Sequence, residues 1–590
     1  MNTLYRLCER LKRPLGALLY GFALLDLVFL LLSIYLSGLT IFLHVQEMVV
    51  NFSLGYFLAY WLIRWTARRF SITQLRLSII DFVFIVLGFA ITNPPIYPIY
   101  LVSRQLYLIF QESTLGRHHG RLHKVFTANP AVLVLLTFIA IILVGTFLLM
   151  LPFASMGQKT SFIDALFTST SATCVTGLTT LDTGTHFTLF GQIVILLLIQ
   201  VGGLGLMTVS TVFAIALGQR ITLKGGDLMK DVMGERNHLN TMMLVKGTAA
   251  ATLGIELIGA VLLYLGFPAG PRQVFNAVFH SVSAFCNAGF SLYPDNMMHF
   301  LSNDIVNFTI MGLIVFGGIG FSVITDIRRH VVHRFQPRRL GLHTKIVVIA
   351  TAALILIGFI GYYIAEYNNT MRDLNLHDRC LASLFQSVTT RTAGYNTIDN
   401  SKLTDASVLL SLFLMYVGAS PGSTGGGVKT STFAVMFLTV MAIMTSNGNV
   451  TAFKRRIGND VLRRVTALIA LSLAFLIVMI FALMCVQTHE AGRNDVSLIT
   501  GVFTPNTQPV LPEQPKPHTD FSRLVFEAFS AFGTVGLSMG VTPNLAYGSK
   551  IIIILLMYIG RVGPLTFIFA VSSVQTKKTL AYTEENISIG

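Results

Sequence analysis

Long apolar runs alternate with short polar stretches along the whole chain, and this alternation predicts a series of membrane-spanning helices. The runs from Ala131 to Phe153, Gly191 to Leu217, Thr248 to Phe267 and Lys550 to Ser572 each reach about 20 residues or more, enough to cross a hydrocarbon core roughly 30 Å thick. Between such runs lie four semi-apolar stretches that are too short to span. They read DALFTSTSATCVTGLTT from Asp164, NAVFHSVSAFCNAGFSL from Asn276, LASLFQSVTTRTAGYNT from Leu381 and LVFEAFSAFGTVGLSMG from Leu524.

These four stretches resemble one another. The first two align without a gap, so that Phe167 falls on Phe279, Cys174 on Cys286 and Gly177 on Gly289. The fourth matches the second as SAFGTVG against SAFCNAG, and the third aligns with one deletion before Gly394. Each copy follows one spanning run and precedes another, as an internally repeated unit should. The expected fold is an all-α polytopic membrane protein with four pseudo-fourfold helix/pore-loop/helix repeats around a central pore. The repeats are expected at 126–230, 231–340, 341–460 and 461–590. Residues 1–125 stand outside them and are expected to add about four N-terminal transmembrane helices, the clearest from Leu19 to Val45, Val49 to Trp65 and Leu77 to Thr92.

Composition and charge then fix the environment and the orientation. Charged residues make up 12% of the chain, against about 25% in soluble domains, and the mean hydropathy is +0.69. The net charge of +15 does not point to nucleic acid, because Lys and Arg sit in short clusters between the apolar runs. These are Arg68/Arg69, Arg117 to Lys124, Arg220 to Lys230, Arg328 to Arg339, Lys454 to Arg464 and Lys577/Lys578. Clusters of that kind mark cytoplasmic loops, and Arg6, Arg10, Lys12 and Arg13 place the N-terminus on the same side. All four short stretches then face outside. The five cysteines are scattered without CxxC spacing, so neither a disulfide framework nor a metal centre is expected.

A segment that enters the membrane, ends in Gly and leaves on the same side is a re-entrant loop, and its irregular backbone must line a water-filled cavity or be buried in protein. A short helix aims the negative end of its dipole at that cavity and favours a cation there. The residues that follow must turn their carbonyl oxygens inward to replace a hydration shell. The expected filter is Val175, Thr176 and Gly177, then Asn287, Ala288 and Gly289, then Thr392, Ala393 and Gly394, then Thr534, Val535 and Gly536. No acidic ring lies among them, which favours coordination of a monovalent cation by backbone carbonyls. For any one of these glycines taken alone, a simple loop turn is the plain alternative.

The run after the third loop carries a second feature, MYVGASPGSTGGGVKTSTF from Met415. Pro and repeated Gly cannot stay helical there, since Gly costs about 1 kcal/mol and Pro about 3 kcal/mol relative to Ala. A nucleotide P-loop needs Lys directly after Gly, but Val428 separates Gly427 from Lys429 and no strand precedes them. The favoured reading is an unwound gate beneath the filter, formed by Gly422, Gly425, Gly426, Gly427 and Lys429, with a static kink as the alternative. Arg561, inside the last span, is expected beside it as a barrier to cations, or else in a structural ion pair. Glu527 is expected to pair behind the filter, and Glu256 and Asp326 are candidate partners for buried cations.

The motifs VTGLTT, FCNAGFSL, TRTAGYNT and GTVGLSMG, with GSTGGGVKTS and IGRVGPLT, together resemble the Trk/Ktr/HKT superfamily of potassium transporters. The resemblance covers Ala131 to Leu580 and leans towards the bacterial Ktr and Trk membrane subunits, which implies a bacterial inner membrane. It further implies a homodimer with one pore per subunit, and a cytoplasmic nucleotide-binding regulatory ring that controls the gate. In that family Gly at all four filter positions implies selectivity for the potassium ion, Ser there being the sodium-permeable variant, with sodium as a candidate coupling or activating ion. No enzyme is implied, and uptake is driven by a membrane potential worth about 2.3 kcal/mol per charge per 100 mV. The competing readings are a sodium-permeable channel of the same architecture and a polytopic membrane enzyme.

Overall fold

The structure, a computed structural model, describes residues 130–157, 159–204, 241–332, 340–445, 449–499 and 520–563 together with Leu58. Apart from Leu58, the expected N-terminal spans lie outside the described residues, as do the basic loop Arg220 to Lys230 and Lys577/Lys578. The chain divides into two compact units. One comprises Met1–Gly120, Met150–Lys159 and Val212–Ile221, and its described part includes a single turn of 3-10 helix at Pro152–Ala154. The other comprises Arg121–Leu149, Thr160–Thr211 and Thr222–Gly590 and carries everything that follows.

This second unit is helical. Its helices are α1 (Pro130–Leu149), α2 (Phe162–Cys174), α3 (Leu189–Gly203), α4 (Thr241–Gly266), α5 (Gln273–Phe285), α6 (Asp304–Ile319) and α7 (Phe321–Val332). The second half adds α8 (Leu342–Glu366), α9 (Leu376–Thr389), α10 (Asp405–Tyr416), α11 (Thr430–Met444), α12 (Asn459–Ile499), α13 (Asp520–Gly533) and α14 (Tyr547–Val562). Among the described residues, Gly247–Gly266, Leu342–Glu366 and Asn459–Thr488 are long and apolar enough to cross a membrane unaided. Their outward faces are apolar too. On α12, Ile477, Val478 and Phe481 are exposed while Leu476 and Leu483, two turns apart, are fully buried. An apolar exterior of this kind suits lipid as solvent, so the chain is a multi-pass membrane protein.

Helices α2, α5, α9 and α13 have 13 or 14 residues each, too few to span, and they are buried for most of their length. Side-chain caps start two of them: Ser161 accepts from Asp164 N and Asn375 from Asp378 N, satisfying donors that a helix start leaves free. A shared packing device holds three of them. Ser169 donates to Ile142 O at 2.7 Å, Ser281 to Glu256 O at 2.6 Å and Ser387 to Ile355 O at 2.7 Å. Three residues beyond each of these carbonyls stands a glycine, Gly145, Gly259 or Gly358, whose missing Cβ leaves room for the serine hydroxyl. Small residues at a helix crossing allow the close approach on which packing inside a membrane depends. In the last unit Ala528 takes the place of the serine.

Helices α3, α6 and α14 approach equally closely from the other side. A Cβ on Gly202, Gly317 or Gly560 would run into the carbonyl oxygen of Thr173, Phe285 or Phe532 respectively. Two departures from the sequence-based expectations follow. The run from Asp304 to Ile327, which its hydropathy presents as one span, is not straight, because it breaks at Gly320 (φ +98°) and α7 leaves α6 at 98°. The all-α reading also overlooks a short antiparallel hairpin, β1 (Thr451–Ala452) and β2 (Arg455–Arg456). Phe453 and Lys454 form its tip with positive φ at both positions, the geometry that tight two-residue hairpins require.

Candidate functional site

Each short helix ends in the same way. Val175, Asn287, Thr392 and Thr534 all adopt positive φ, between 50° and 70°, and so do Gly177, Gly289, Gly394 and Gly536 two residues later. Positive φ at the first and third positions gives the four triplets one shared backbone geometry. Four non-Gly residues in this disfavoured region represent strain, held in place by the surrounding structure.

Backbone hydrogen bonds locate the deletion in the third copy. Thr176 N donates to Ser171 O, Ala288 N to Ser283 O and Val535 N to Ser530 O, each five residues back, whereas Ala393 N donates to Thr389 O, only four back. The residue is missing at the helix C-terminus, and the three residues ending in Gly394 keep the geometry of the other copies.

The four glycines are also neighbours in space. A Cβ on Gly177 would run into the carbonyl oxygen of Ala288, one on Gly289 into that of Ala393, one on Gly394 into that of Val535 and one on Gly536 into that of Thr176. Every glycine abuts the peptide just before the next glycine, and the fourth returns to the first. This closed order excludes any side chain larger than hydrogen at all four positions.

Hydroxyls support the ring from behind, at offsets that the sequence contains but that the glycine motif alone does not reveal. Gly177 N donates to Ser171 Oγ at 3.1 Å and Gly536 N to Ser530 Oγ at 3.0 Å. In the other two copies the corresponding Ser283 and Thr389 donate instead to Phe290 O and Tyr395 O, at 3.0 and 2.5 Å. The buried hydroxyls of Thr176 and Thr534 have no hydrogen-bond partner among the described residues. No group of three or more His, Cys, Asp or Glu that could hold a metal occurs among those residues.

The segment between α10 and α11 lies directly against these triplets. Its neck is zipped by Gly418 N to Val428 O at 2.9 Å and Thr430 N to Ala419 O at 3.2 Å. Its tip is bound to the α6–α7 elbow: Ser420 N donates to Gly318 O, Thr424 N to Gly317 O, and Phe321 N to Gly422 O, at 3.0 to 3.2 Å. Thr424 Oγ1 donates to Phe285 O at 3.2 Å, and Asn287 hydrogen-bonds Thr392 Oγ1 at 3.2 Å. A Cβ on Gly425 would meet Thr392, and one on Gly426 would meet Thr534. The segment therefore touches three of the four triplets in succession. Thr424, Gly317 and Gly318 were not among the expected site residues, since their role arises from contacts more than 100 positions apart.

Buried charges take different partners from those the sequence suggested. Arg561 donates to Thr424 O and Gly202 O, so its guanidinium bridges the Gly-rich segment to the end of α3. Lys429 Nζ donates to Gly425 O at 2.8 Å. Glu256, a candidate partner for these cations, instead accepts from Gln200 Nε2 at 3.2 Å. Asp326 accepts from Thr344 Oγ1 at 2.6 Å and Gly341 N at 3.0 Å. Glu527 accepts from Ser538 and Thr542 hydroxyls behind the fourth triplet.

A helical membrane fold that gathers four short, glycine-ended segments at one point suits a membrane transport protein. The comparisons name the family. Residues 105–506 and 496–579 match the family described as TrkH, cation transport protein. The Ktr system potassium uptake protein B of Vibrio alginolyticus is 38% identical over 476 residues, covering 80% of this chain and 97% of that protein. The Bacillus subtilis (strain 168) protein of the same name is 37% identical, with 78% and 97% covered. The potassium/sodium uptake protein NtpJ of Enterococcus hirae is 36% identical, also with 78% and 97% covered. The crystal structure of the potassium transporter TrkH from Vibrio parahaemolyticus superposes with a TM-score of 0.60 at 17% identity, covering 85% of this chain and 97% of that one. The chain belongs to the TrkH family of cation transport proteins.

Proposed function

We propose that the chain carries potassium into the cell through a carbonyl-lined filter of four triplets, controlled by the segment Gly418–Lys429. The observation that carries this reading is the closed order in which Gly177, Gly289, Gly394 and Gly536 each abut the peptide of the next triplet. Four helix C-termini aimed at one axis, with carbonyls turned inward, favour a dehydrated monovalent cation over an anion. Units 126–230, 231–340, 341–460 and 461–590 are read as four repeats around that axis, with residues 1–125 preceding them in the chain. Arg561 and Lys429 place two positive charges beside the Gly-rich segment and raise the barrier to a cation while that segment is docked.

The relatives named potassium uptake proteins support potassium as the substrate, and their designation as parts of a Ktr system supports a separate regulatory subunit. A homodimer under a cytoplasmic nucleotide-binding ring, in a bacterial inner membrane with the N-terminus inside, is the assembly we infer. A sodium-permeable pore of the same fold is the second reading, favoured by the Enterococcus hirae relative named a potassium/sodium uptake protein. Flux into liposomes under equal gradients of potassium and sodium separates the two. Potassium flux well above sodium flux is expected, and equal fluxes would replace the first reading by the second.

A further inference from the structure

Arg391 stands three residues before Gly394, where the other triplets are preceded by Cys174, Cys286 and Gly533. Its side chain is only 7% exposed. A buried guanidinium is costly unless its donors are satisfied, yet its recorded acceptors are neutral oxygens from two different elements. Nη1 donates to Thr351 O on α8 at 3.5 Å, and Nη2 donates to Thr430 Oγ1, the first residue of α11, at 3.2 Å. Nε has no hydrogen-bond partner among the described residues, and the guanidinium borders a small cavity shared with Gly318, Thr351 and Ala419.

Thr430 is a junction. Its hydroxyl accepts from Arg391 and donates to Gly418 O at 3.0 Å, while its amide donates to Ala419 O at 3.2 Å. Gly418 and Thr430 flank the Gly-rich segment, so one hydroxyl joins the two ends of that segment and links both to the residue next to Thr392. Arg is suited to this place because its rigid fork can hold two acceptors on different elements at once.

We propose that Arg391 is a positioning residue that couples the third filter triplet to the neck of the gating segment, through Thr430. The inference rests on the reading of Gly418–Lys429 as a gate. With the bond intact, neck and triplet move as one body. Without it, the neck separates from the filter and the docked arrangement is less favoured.

The test uses the full chain in liposomes and compares Arg391→Gln, Thr430→Val, the double variant, Thr430→Ser and a chain shortened between Gly422 and Gly427. Arg391→Gln and Thr430→Val should each raise potassium flux about tenfold, the scale of one charge-assisted hydrogen bond. The double variant should rise no further than either alone, and Thr430→Ser, which keeps the hydroxyl, should match the unaltered chain. If Arg391→Gln does not fold, Arg391→Met takes its place, and it is read beside the contrast between Thr430→Val and Thr430→Ser because Thr430→Val also removes the bond to Gly418 O. Equal flux in those two, with the shortened chain raised, overturns the coupling and leaves the gate standing. Unchanged flux in the shortened chain overturns the gate and the coupling with it.

Discussion

Lys550 on α14 donates to Asp164 in the first turn of α2 at 2.8 Å, joining the last described helix to the first short one across 386 positions. The two side chains are only 13% and 17% exposed. About two turns further along α14, Tyr558 donates to Leu135 O on α1 at 2.8 Å, and after one more turn Arg561 reaches Gly202 O on α3. Adjacent copies elsewhere are joined by the chain itself, whereas the fourth copy meets the first through non-covalent contacts such as these.

Breaking that seam should therefore cost stability. Asp164→Asn or Lys550→Met leaves one mostly buried charge without its partner, a loss of about 3 kcal/mol. Thermal unfolding of the detergent-solubilised protein should show a lowered midpoint in both single variants, partly recovered when the charges are exchanged in Asp164→Lys with Lys550→Asp. A midpoint unmoved by Asp164→Asn would mean that the pair contributes nothing to closure.

The filter glycines should not tolerate even one methyl group. At φ values from +69° to +96°, Ala costs about 1–2 kcal/mol in backbone strain, and its Cβ would also collide with the carbonyl of the next triplet. Gly177→Ala, Gly289→Ala, Gly394→Ala and Gly536→Ala should each lower potassium flux at least about tenfold. Gly289→Ser should shift the ratio of fluxes towards sodium. Normal flux with all four replaced by Ala would remove the glycine ring from the conduction path.

Much of this arrangement could be read from the chain. The four short helices, their glycines and the missing residue before Gly394 follow from hydropathy and internal alignment, because re-entrant segments leave a local pattern. The break between α10 and α11 follows from Pro421 and its neighbouring glycines. What the chain alone did not yield depends on where distant residues meet. Whether Arg561 binds a carboxylate or a carbonyl, and that Ser169, Ser281 and Ser387 bind carbonyls next to Gly145, Gly259 and Gly358, cannot be inferred from spacing within one run. The Gly320 elbow was missed because one glycine in an apolar span has many meanings, and only its contact with Pro421 gives it one.

Those serine and glycine pairs make a prediction about packing alone. A Cβ on Gly259 would lie 2.6 Å from Ser281 Oγ and 2.7 Å from Leu313 Cδ1. Gly259→Val forces α4 away from α5 and breaks the Ser281 bond, an overpacking cost of about 1–3 kcal/mol. A lowered unfolding midpoint should accompany an unchanged ratio of potassium to sodium flux, since neither residue touches a filter triplet. A changed ratio would show that α4 helps set the filter geometry.

Arg561 anchors the Gly-rich segment through Thr424 O and holds it to α3 through Gly202 O. Arg561→Ala removes both bonds and one positive charge, so it should raise potassium flux. Arg561→Lys keeps the charge but cannot fork between the two carbonyls, and it therefore separates tethering from electrostatics. If tethering dominates, the Lys variant conducts like the Ala variant. Conduction like the unaltered chain would assign the effect to charge.

The elbow at Gly320 supplies the last test, because it links the docked segment to a helix with a polar end. Helix α7 leaves α6 at 98° and carries Asp326 and Arg328, while its first amide, Phe321 N, donates to Gly422 O at 3.0 Å. Any rotation of α7 about the elbow must stretch that bond, so force applied to α7 reaches the segment without passing through the filter. Gly320→Ala acts at the same point: its φ of +98° strains any other residue, and the new Cβ would lie 2.6 Å from Pro421 O. A strain of about 1–2 kcal/mol on the docked arrangement corresponds to a shift in population of about fivefold to thirtyfold. Potassium flux should rise within that range while the potassium to sodium ratio stays constant, as measured side by side in liposomes. A reduced flux would mean that the elbow supports conduction instead of restraining it, and the link from α7 to the segment would have to be read in the opposite sense.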